Sequence, residues 1–399
     1  MLKVLLPALV ALSLAILVAA CTGPRRVAAD ADADAPLRIA TYNVSLNDDS
    51  AGGLIRRLEA GDDGARKVAA VIQRVRPAIV LLNEFDHDAD GRAADLFQRD
   101  YLAVGQHGER AIHYPYRYFA EVNTGVPSGM DLDGDGRIDG PGDAWGFGRH
   151  PGQYGMLVLS MHPIDTAAVR SFRTLLWRDM PGALAPVDPA TGAPWYPEQV
   201  WNRLRLSSKS HWDVPVDTPQ GRVHVLAAHP TPPVFDGPED RNGARNHDEI
   251  RLWADYISAG TDGWMVDDAG VRGGLAADAR FVILGDYNAD PVDGDSRDAA
   301  IHQLLTHPRV LDHPAPRSEG AVAAAARDGG ANLQHRGDPA HDTGNFGPRT
   351  GNLRIDYVLP SVGFRVVDSG VFWPLPEAPE HAWTLASDHH LVWLDLVEE

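Results

Sequence analysis

The stretch FVILGDYNADP at residues 281–291 decides which fold to expect. Four apolar residues lead into Gly285, Asp286, Tyr287 and Asn288, so a carboxylate and a carboxamide lie close together. A short apolar run closed by glycine is typical of a buried strand, and α/β folds commonly place their sites beyond the carboxyl ends of strands. Asp286 could then orient a water and Asn288 could donate to a phosphate oxygen. An Asx turn would explain the same residues by local hydrogen bonds alone.

An apolar run that ends in a polar group recurs along the chain. Between the apolar runs at residues 37–42 and 79–82, the segment RKVAAVIQRVR at residues 66–76 has apolar residues at helical spacing and stops before Pro77. This pattern predicts an amphipathic helix. A second helix is predicted from about Asn246 to Ile257. The strand-like runs are 37–42, 79–82, 223–228, 355–359 and 390–396, and the polar residues in or beside them are Asn43, Glu84, His229, Asp356, Asp388 and His389.

Composition predicts a globular protein with an acidic surface. The chain has 399 residues, 44% of them hydrophobic, and a formal charge of −19. No clear linker follows Leu37, so residues 37–399 are predicted to form one α/β domain with long inserted loops. Proteins that bind nucleic acid without specificity usually carry a basic surface, and no run of Lys and Arg here exceeds two residues. The composition therefore disfavours a nucleic-acid partner.

The first residues form a targeting signal rather than part of the fold. Lys3 precedes an apolar stretch that ends in small residues before Cys21, the single cysteine. The resemblance to a bacterial lipobox implies that residues 1–20 are removed and that Cys21 carries lipid. Residues 21–36 lack apolar bulk and are predicted to be a flexible tether. We expect an exported lipoprotein on the periplasmic or cell-surface face of a membrane; an ordinary secreted protein is the alternative.

Seven motifs, in this order, resemble the endonuclease/exonuclease/phosphatase superfamily of DNase I-like enzymes. Short motifs recur by chance, but seven in the order and spacing of one family are specific, and they cover nearly the whole chain after the tether. They are TYNVSLN around Asn43, LLNEFD around Glu84, YGMLVLSMHPI at 154–164, AAHPTPP around His229, LGDYNADP, RIDYVLPS around Asp356 and SDHHLVW around Asp388 and His389.

This resemblance implies a fold of two packed mixed β-sheets flanked by helices, a DNase I-like four-layer sandwich, with the motifs gathered in one cleft. It implies that Asp286 orients or deprotonates the attacking water and that Asn288 holds the scissile phosphate. Asp356 would pair with His389 and fix its tautomer. His229 would donate to a phosphate oxygen or assist the leaving group.

A divalent cation completes the expected site. Mg²⁺ prefers oxygen ligands and keeps several waters, so one or two carboxylates suffice. By resemblance, Glu84 is the first ligand, Asn43 lies beside it, and Asp388 contributes directly or through water. The expected cofactor is Mg²⁺ or Mn²⁺.

An inserted loop at residues 131–143 copies the start of a calcium-binding loop. Glycine occupies loop position 6, but the usual glutamate at position 12 is absent because Gly142 stands there and Asp143 follows. A structural Ca²⁺ is one interpretation and an acidic, solvated turn is the other. The candidate ligands at positions 1, 3, 5 and 9 are Asp131, Asp133, Asp135 and Asp139.

Together these features predict an exported, metal-dependent phosphoesterase that hydrolyses phosphodiester or phosphomonoester bonds. Its substrate is expected to be a small or organic phosphate ester, because the charge disfavours nucleic acid. A nuclease acting on DNA or RNA is the first alternative. A catalytically inactive, calcium-binding surface module on the same scaffold is the second. The sequence indicates no oligomeric state.

Overall fold

The computed structural model describes residues 35–258, 260 and 262–399. The predicted signal peptide, Cys21 and the tether up to residue 34 lie outside these residues, so lipidation stays a prediction. Among the described residues, no helix has the length and apolar character needed to cross a membrane.

Two large mixed β-sheets form the centre of the molecule. The strands are β1 Leu37–Leu46, β2 Ile79–Phe85, β3 Tyr116–Tyr118, β4 Met156–Ser160, β5 Arg170–Ser171, β6 His211–Thr218, β7 Gly221–Ala228, β8 Phe281–Asp286, β9 Gly344–Asn345, β10 Asn352–Leu353, β11 Asp356–Pro360, β12 Phe364–Val371 and β13 Val392–Glu398. The first sheet has the order β12-β13-β1-β2-β4-β3 and the second has the order β11-β8-β7-β6-β5, while β9 and β10 pair separately.

Helices pack around the two sheets. They are α1 Gly53–Glu59, α2 Asp63–Val75, α3 Arg92–Leu96, α4 Glu198–Trp201, α5 Arg241–Tyr256, α6 His302–Leu305, α7 Glu319–Asp328, α8 Gly347–Thr350 and α9 His381–Thr384. The α2 helix shares a core with the outer face of the first sheet, α5 shares one with the outer face of the second, and a third core lies between the sheets. This order of layers confirms the predicted four-layer α/β sandwich.

The central strands are apolar on both faces because each sheet is covered on both sides. In β1, Ile39 enters the core between the sheets, while Ala40 and Tyr42 face the core shared with α2. Alternation between polar and apolar residues is therefore lost, and such strands appear in sequence as almost continuous apolar runs.

Strand register brings the polar strand ends together. The parallel pair β1 and β2 places Asn43 beside Asn83, and the parallel pair β7 and β8 ends at Ala228 and Gly285. A side chain at Gly285 could not be accommodated, because its Cβ would lie 2.1 Å from the carbonyl oxygen of Ala228. This close contact explains the glycine before Asp286.

Both predicted helices are present, and both begin earlier than predicted. The side chain of Asp62 caps α2 by accepting a 2.7 Å hydrogen bond from the Ala65 amide. At α5, the side chain of Asp236 accepts a 2.6 Å bond from the Asn242 amide. Because Asp236 lies before the helix and is not part of its apolar pattern, hydrophobic periodicity did not reveal where α5 begins.

Candidate active site

The predicted site residues lie at one edge of the sandwich, where the ends of strands from both sheets meet. The first sheet contributes Asn43 in β1 and Glu84 in β2, and the second contributes Asp286 and Asp356 at the ends of β8 and β11. His229, Asn288, Asp388 and His389 lie in the loops that adjoin these strands.

An imidazole lies between two carboxylates at the centre of this edge. Asp356 and Asp286 are paired residues of the antiparallel strands β11 and β8. His389 Nδ1 is 2.9 Å from Asp356 Oδ2, and its Nε2 is 3.6 Å from Asp286 Oδ2. Burial lowers the pKa of His389, but the negative charges of both carboxylates outweigh it and raise this pKa well above its usual value. The raised pKa favours the protonated imidazole, which donates from both nitrogens.

Asn43 connects this group to Glu84. Its Nδ2 lies 3.1 Å from Glu84 Oε1 and 3.0 Å from Asp286 Oδ2, while its Oδ1 accepts a bond from the Ser45 amide. In this orientation Asn43 holds the two carboxylates together, and it could bind a cation through oxygen only after its amide turned by about 180°. Ligation by Asn43 stays a prediction.

Glu84 occupies an unusual backbone conformation at the end of β2. Its φ is 57°, in the left-handed region that non-glycine residues rarely adopt. Asn47 Nδ2 donates a 2.9 Å hydrogen bond to Glu84 Oε2 and so fixes the second carboxylate oxygen. Burial raises the pKa of Glu84, opposed by the positive charge of His389 and the hydrogen bond from Asn43. A bound cation would offset this cost.

His229 and Asn288 border the Asp286 carboxylate from the other side. His229 Nε2 is 3.4 Å from Asp286 Oδ2, and burial lowers the pKa of His229 well below its usual value. The Asn288 amide donates to Asp286 Oδ1 at 3.0 Å, and Asn288 Nδ2 donates to the Pro230 carbonyl. The left-handed φ of 51° at Asn288 produces this tight turn. The Asx turn is therefore present, and it holds two of the predicted site residues.

Asp388 lies on the open side of the group. Its side chain is 54% exposed, and its Oδ1 is 3.9 Å from His389 Nε2 and 3.5 Å from Ser45 Oγ. A cleft of about 400 Å³ opens beside it, lined in part by Arg327, Asn345 and His381. Asp388 therefore borders both the buried carboxylates and a space for a ligand.

The donor set suits a hard divalent cation. Ligand atoms of Asp286, Asp356 and His389 lie within 4.8 Å of one another. Because His389 Nδ1 already bonds Asp356 and its Nε2 lies 3.6 Å from Asp286, we assign these three as one charged group and Glu84 as the better ligand. Asp356 Oδ1 is buried without a hydrogen-bond partner, and no Lys or Arg of the described chain forms an ion pair with Glu84, Asp286 or Asp356 within 4.0 Å. Carboxylates gathered in this way fit Mg²⁺ or Mn²⁺.

Three positioning residues were not predicted from the sequence. Asn47 orients Glu84, as described above. Thr343 Oγ1 donates a 2.7 Å bond to Asp356 Oδ2. Asn83 joins the two sheets, because its Oδ1 accepts from the Asp286 amide and its Nδ2 donates to the Ala228 carbonyl, each at 3.3 Å. Asn47 and Asn83 lie inside the quoted motifs, whereas no local signal marks Thr343.

Two arginines considered as phosphate ligands have other partners. Arginine matches phosphate oxygens in geometry, and Arg241 and Arg245 lie in the segment after His229. Arg245 instead donates to the backbone carbonyls of Trp145, Arg205 and Leu206. Arg241 forms an ion pair with Glu239. Both side chains stabilise the surrounding loops.

The inserted acidic loop gathers a different set of carboxylates from the predicted one. Asp131 and Asp133 lie with Asp143, with ligand atoms within 4.8 Å of one another, whereas Asp135 and Asp139 are not part of this group. Asp143 is buried and already accepts hydrogen bonds from the amides of Leu132 and Gly140. Calcium binding stays a prediction.

This fold and set of side chains define a class of hydrolase that acts on phosphate esters. Residues 40–389 match the Endonuclease/Exonuclease/phosphatase family, and the chain belongs to that family. No curated protein matches the chain.

The chain is similar to several solved structures. The endonuclease/exonuclease/phosphatase from Beutenbergia cavernae is similar over 91% of this chain and 72% of its own, with a TM-score of 0.50 and 21% identity. Sphingomyelinase C from Streptomyces griseocarneus matches over 90% and 99%, with a TM-score of 0.44 and 16% identity. A beta toxin mutant from Staphylococcus aureus with bound magnesium ions matches over 91% and 100%, with a TM-score of 0.43 and 12% identity.

Proposed function

We propose that this protein is a divalent-metal-dependent phosphoesterase that cleaves a phosphodiester or phosphomonoester by in-line attack of water. The proposal rests on one observation. His389 lies between the carboxylates of Asp356 and Asp286, and Asn43 connects this group to Glu84. General acid–base groups and a candidate cation ligand thus lie within one hydrogen-bonded set, as such hydrolysis requires.

Each protein group has a separable task. Asp286 holds the attacking water and accepts its proton, because burial raises the pKa of Asp286 and makes it a stronger base than an exposed aspartate. Asn288 and protonated His389 donate hydrogen bonds to phosphate oxygens, and Asp356 keeps the imidazole oriented. His229, whose Nδ1 is buried without a hydrogen-bond partner, donates to the phosphate or to the leaving oxygen.

A Mg²⁺ or Mn²⁺ ion held by Glu84, with Asn43 and Asp388 beside it, would neutralise charge on the phosphate and on the leaving oxygen.

The substrate we propose is a small or organic phosphate ester. A net charge of −19 repels polyanions, and the cleft of about 400 Å³ beside Asp388 can take the organic part of such an ester. A nuclease remains the competing function. Assays with bis-p-nitrophenyl phosphate, p-nitrophenyl phosphate and supercoiled plasmid, each with and without Mg²⁺, separate the two.

Release of p-nitrophenol that requires Mg²⁺, without plasmid nicking, is the expected result. Nicking at a comparable rate would favour the nuclease. If none of the three substrates is cleaved with metal present, the phosphoesterase proposal fails and the inactive calcium-binding module becomes the better hypothesis.

We also propose that the protein acts outside the cytoplasm, anchored through lipid on Cys21. The support is the order of a basic start, an apolar stretch and small residues before that cysteine. Cells that express the protein should incorporate labelled palmitate into it, and the Cys21→Ala variant should carry no label. An unlabelled wild-type protein would contradict the anchor and favour simple secretion.

A further inference from the structure

Lysine is rare in this chain, and one lysine lies at the candidate site. The sequence contains three lysines, at positions 3, 67 and 209, although Lys and Arg together number 36. Lys67 is on the surface helix α2 and pairs with Asp63. Lys209 is only 7% exposed. Most of the 36 Lys and Arg residues are arginines, so a buried lysine beside the site is an exception in this chain.

Strand register places Lys209 next to the catalytic groups. It precedes β6, whose first residue, His211, pairs with Ala228, the residue before His229. Lys209 and His229 therefore extend past the same end of the second sheet. The charge of Lys209 acts on Glu84 and Asp286, and it also lowers the pKa of His229.

A buried glutamate fixes this position. Glu249 of α5 accepts a 2.6 Å hydrogen bond from the Ser208 amide through Oε1 and a 2.7 Å bond from the Thr231 amide through Oε2. One carboxylate thereby connects the segment before Lys209 to the segment after His229. The carbonyl of Lys209 is held as well, by the amide of Asn123 at 2.9 Å.

The ammonium group itself remains available. Among the described residues, no carboxylate oxygen lies within 4.0 Å of Lys209 Nζ and no hydrogen bond from it is formed. A largely buried lysine without a partner for its charge is costly, and burial lowers the pKa of Lys209 although Glu249, Glu84 and Asp286 oppose that shift. A substrate phosphate would provide the missing acceptors.

We propose that Lys209 binds a non-bridging oxygen of the substrate phosphate and stabilises the negative charge that the phosphate carries during hydrolysis. This inference rests on the proposed phosphoesterase function. Arg241 and Arg245, the arginines that follow His229 in the chain, are engaged elsewhere. The ammonium of lysine is a compact point charge, whereas the guanidinium of arginine is larger and planar, so the two are not interchangeable at a phosphate site.

Three variants test the assignment, with Lys67→Met as the matched control. In Lys209→Met, we expect kcat/KM for bis-p-nitrophenyl phosphate and the affinity for inorganic phosphate, measured by calorimetry with Mg²⁺, each to fall about 10- to 100-fold. Lys209→Arg should recover part of the phosphate affinity, and Lys67→Met should equal wild type. A folded Lys209→Met protein within twofold of wild type in both measurements would overturn the proposal.

Differential labelling of the wild-type protein covers the case in which Lys209→Met fails to fold. An amine reagent is applied with and without inorganic phosphate and Mg²⁺, and the peptides that contain Lys67 and Lys209 are quantified by mass spectrometry. Phosphate should slow modification of Lys209 and leave Lys67 unchanged; equal modification with and without phosphate contradicts the proposal. If wild type cleaves no ester yet phosphate protects Lys209, the phosphoesterase function fails while the phosphate-binding role stands.

Discussion

Asp286 and Asp356 stand directly opposite each other on adjacent antiparallel strands, although both are carboxylates. His389 contacts both, at 3.6 Å and 2.9 Å, and its positive charge compensates this arrangement. Repulsion between the two carboxylates would otherwise disfavour having both ionised. The histidine is therefore needed to keep Asp286 available as a base.

The first prediction concerns these reacting groups. Asp286→Ala and His389→Ala should each reduce kcat for p-nitrophenyl esters by about 10²- to 10⁴-fold, the usual effect of removing a general acid or base. Circular dichroism should show that both variants are folded. Turnover close to wild type in either folded variant would remove that residue from the mechanism.

The second prediction concerns the orientation of Glu84. Asn47→Ala removes the donor to Glu84 Oε2, and loss of such an orienting bond typically weakens metal binding by about 10- to 100-fold. The Mg²⁺ dissociation constant, measured by calorimetry without substrate, should rise accordingly. Asn202→Ala, which removes a surface amide that bonds Arg178, serves as the control. If both variants bind Mg²⁺ like wild type, Glu84 does not depend on Asn47.

The third prediction concerns Thr343. Its hydroxyl donates to Asp356 Oδ2 and accepts from the amides of Ile355 and Asp356. Thr343→Val leaves these buried amides unpaired, so the free energy of unfolding should fall by about 1–3 kcal/mol in urea denaturation, and kcat should fall as well. Thr343→Ser keeps the hydroxyl and should retain both values. A serine variant as impaired as the valine variant would show that packing, rather than hydrogen bonding, matters here.

The fourth prediction concerns the pH dependence of stability. Burial raises the pKa of Asp342 to about 8, and the charges of Asp290, Asp293 and Asp338 add to this rise. In the unfolded state Asp342 has an ordinary aspartate pKa of about 3.9. Between that pH and pH 8, the folded state therefore keeps a proton that the unfolded state has already released. This contribution to stability is complete below the unfolded pKa and is lost as the pH rises through 8.

Asp342→Asn should remove that loss. The melting temperature of Asp342→Asn minus that of wild type should increase from pH 5 to pH 8 and level off above pH 8. Asp298→Asn, at an exposed carboxylate, should change the melting temperature equally at every pH. A difference between Asp342→Asn and wild type that does not vary with pH would contradict the assigned protonation.

The sequence predicted the residues that local patterns mark and missed those that act across the fold. The α/β class follows from continuous apolar runs that alternate with helical spacing, whereas the four-layer sandwich is what the resemblance of the seven motifs to one family implies. Asp286, Asn288 and Glu84 follow strand ends within recognisable motifs. Lys209 and Thr343 have no such mark, because their roles depend on contacts between segments far apart in sequence. The hydrogen bonds of Glu249 to Ser208 and Thr231 join three such segments, and no periodicity encodes that geometry.

The bridge formed by Asn83 has a consequence for the dynamics of the site. The side chain of Asn83, in β2, hydrogen-bonds to Asp286 of β8 and to Ala228 of β7. The two sheets therefore cannot separate at this edge while the site stays assembled. The Asp286 amide hydrogen should then exchange with solvent only through global unfolding, at the rate of the slowest amides of the protein. Catalytic competence and whole-molecule cooperativity would be lost in a single event, so partially opened forms of this protein should be inactive.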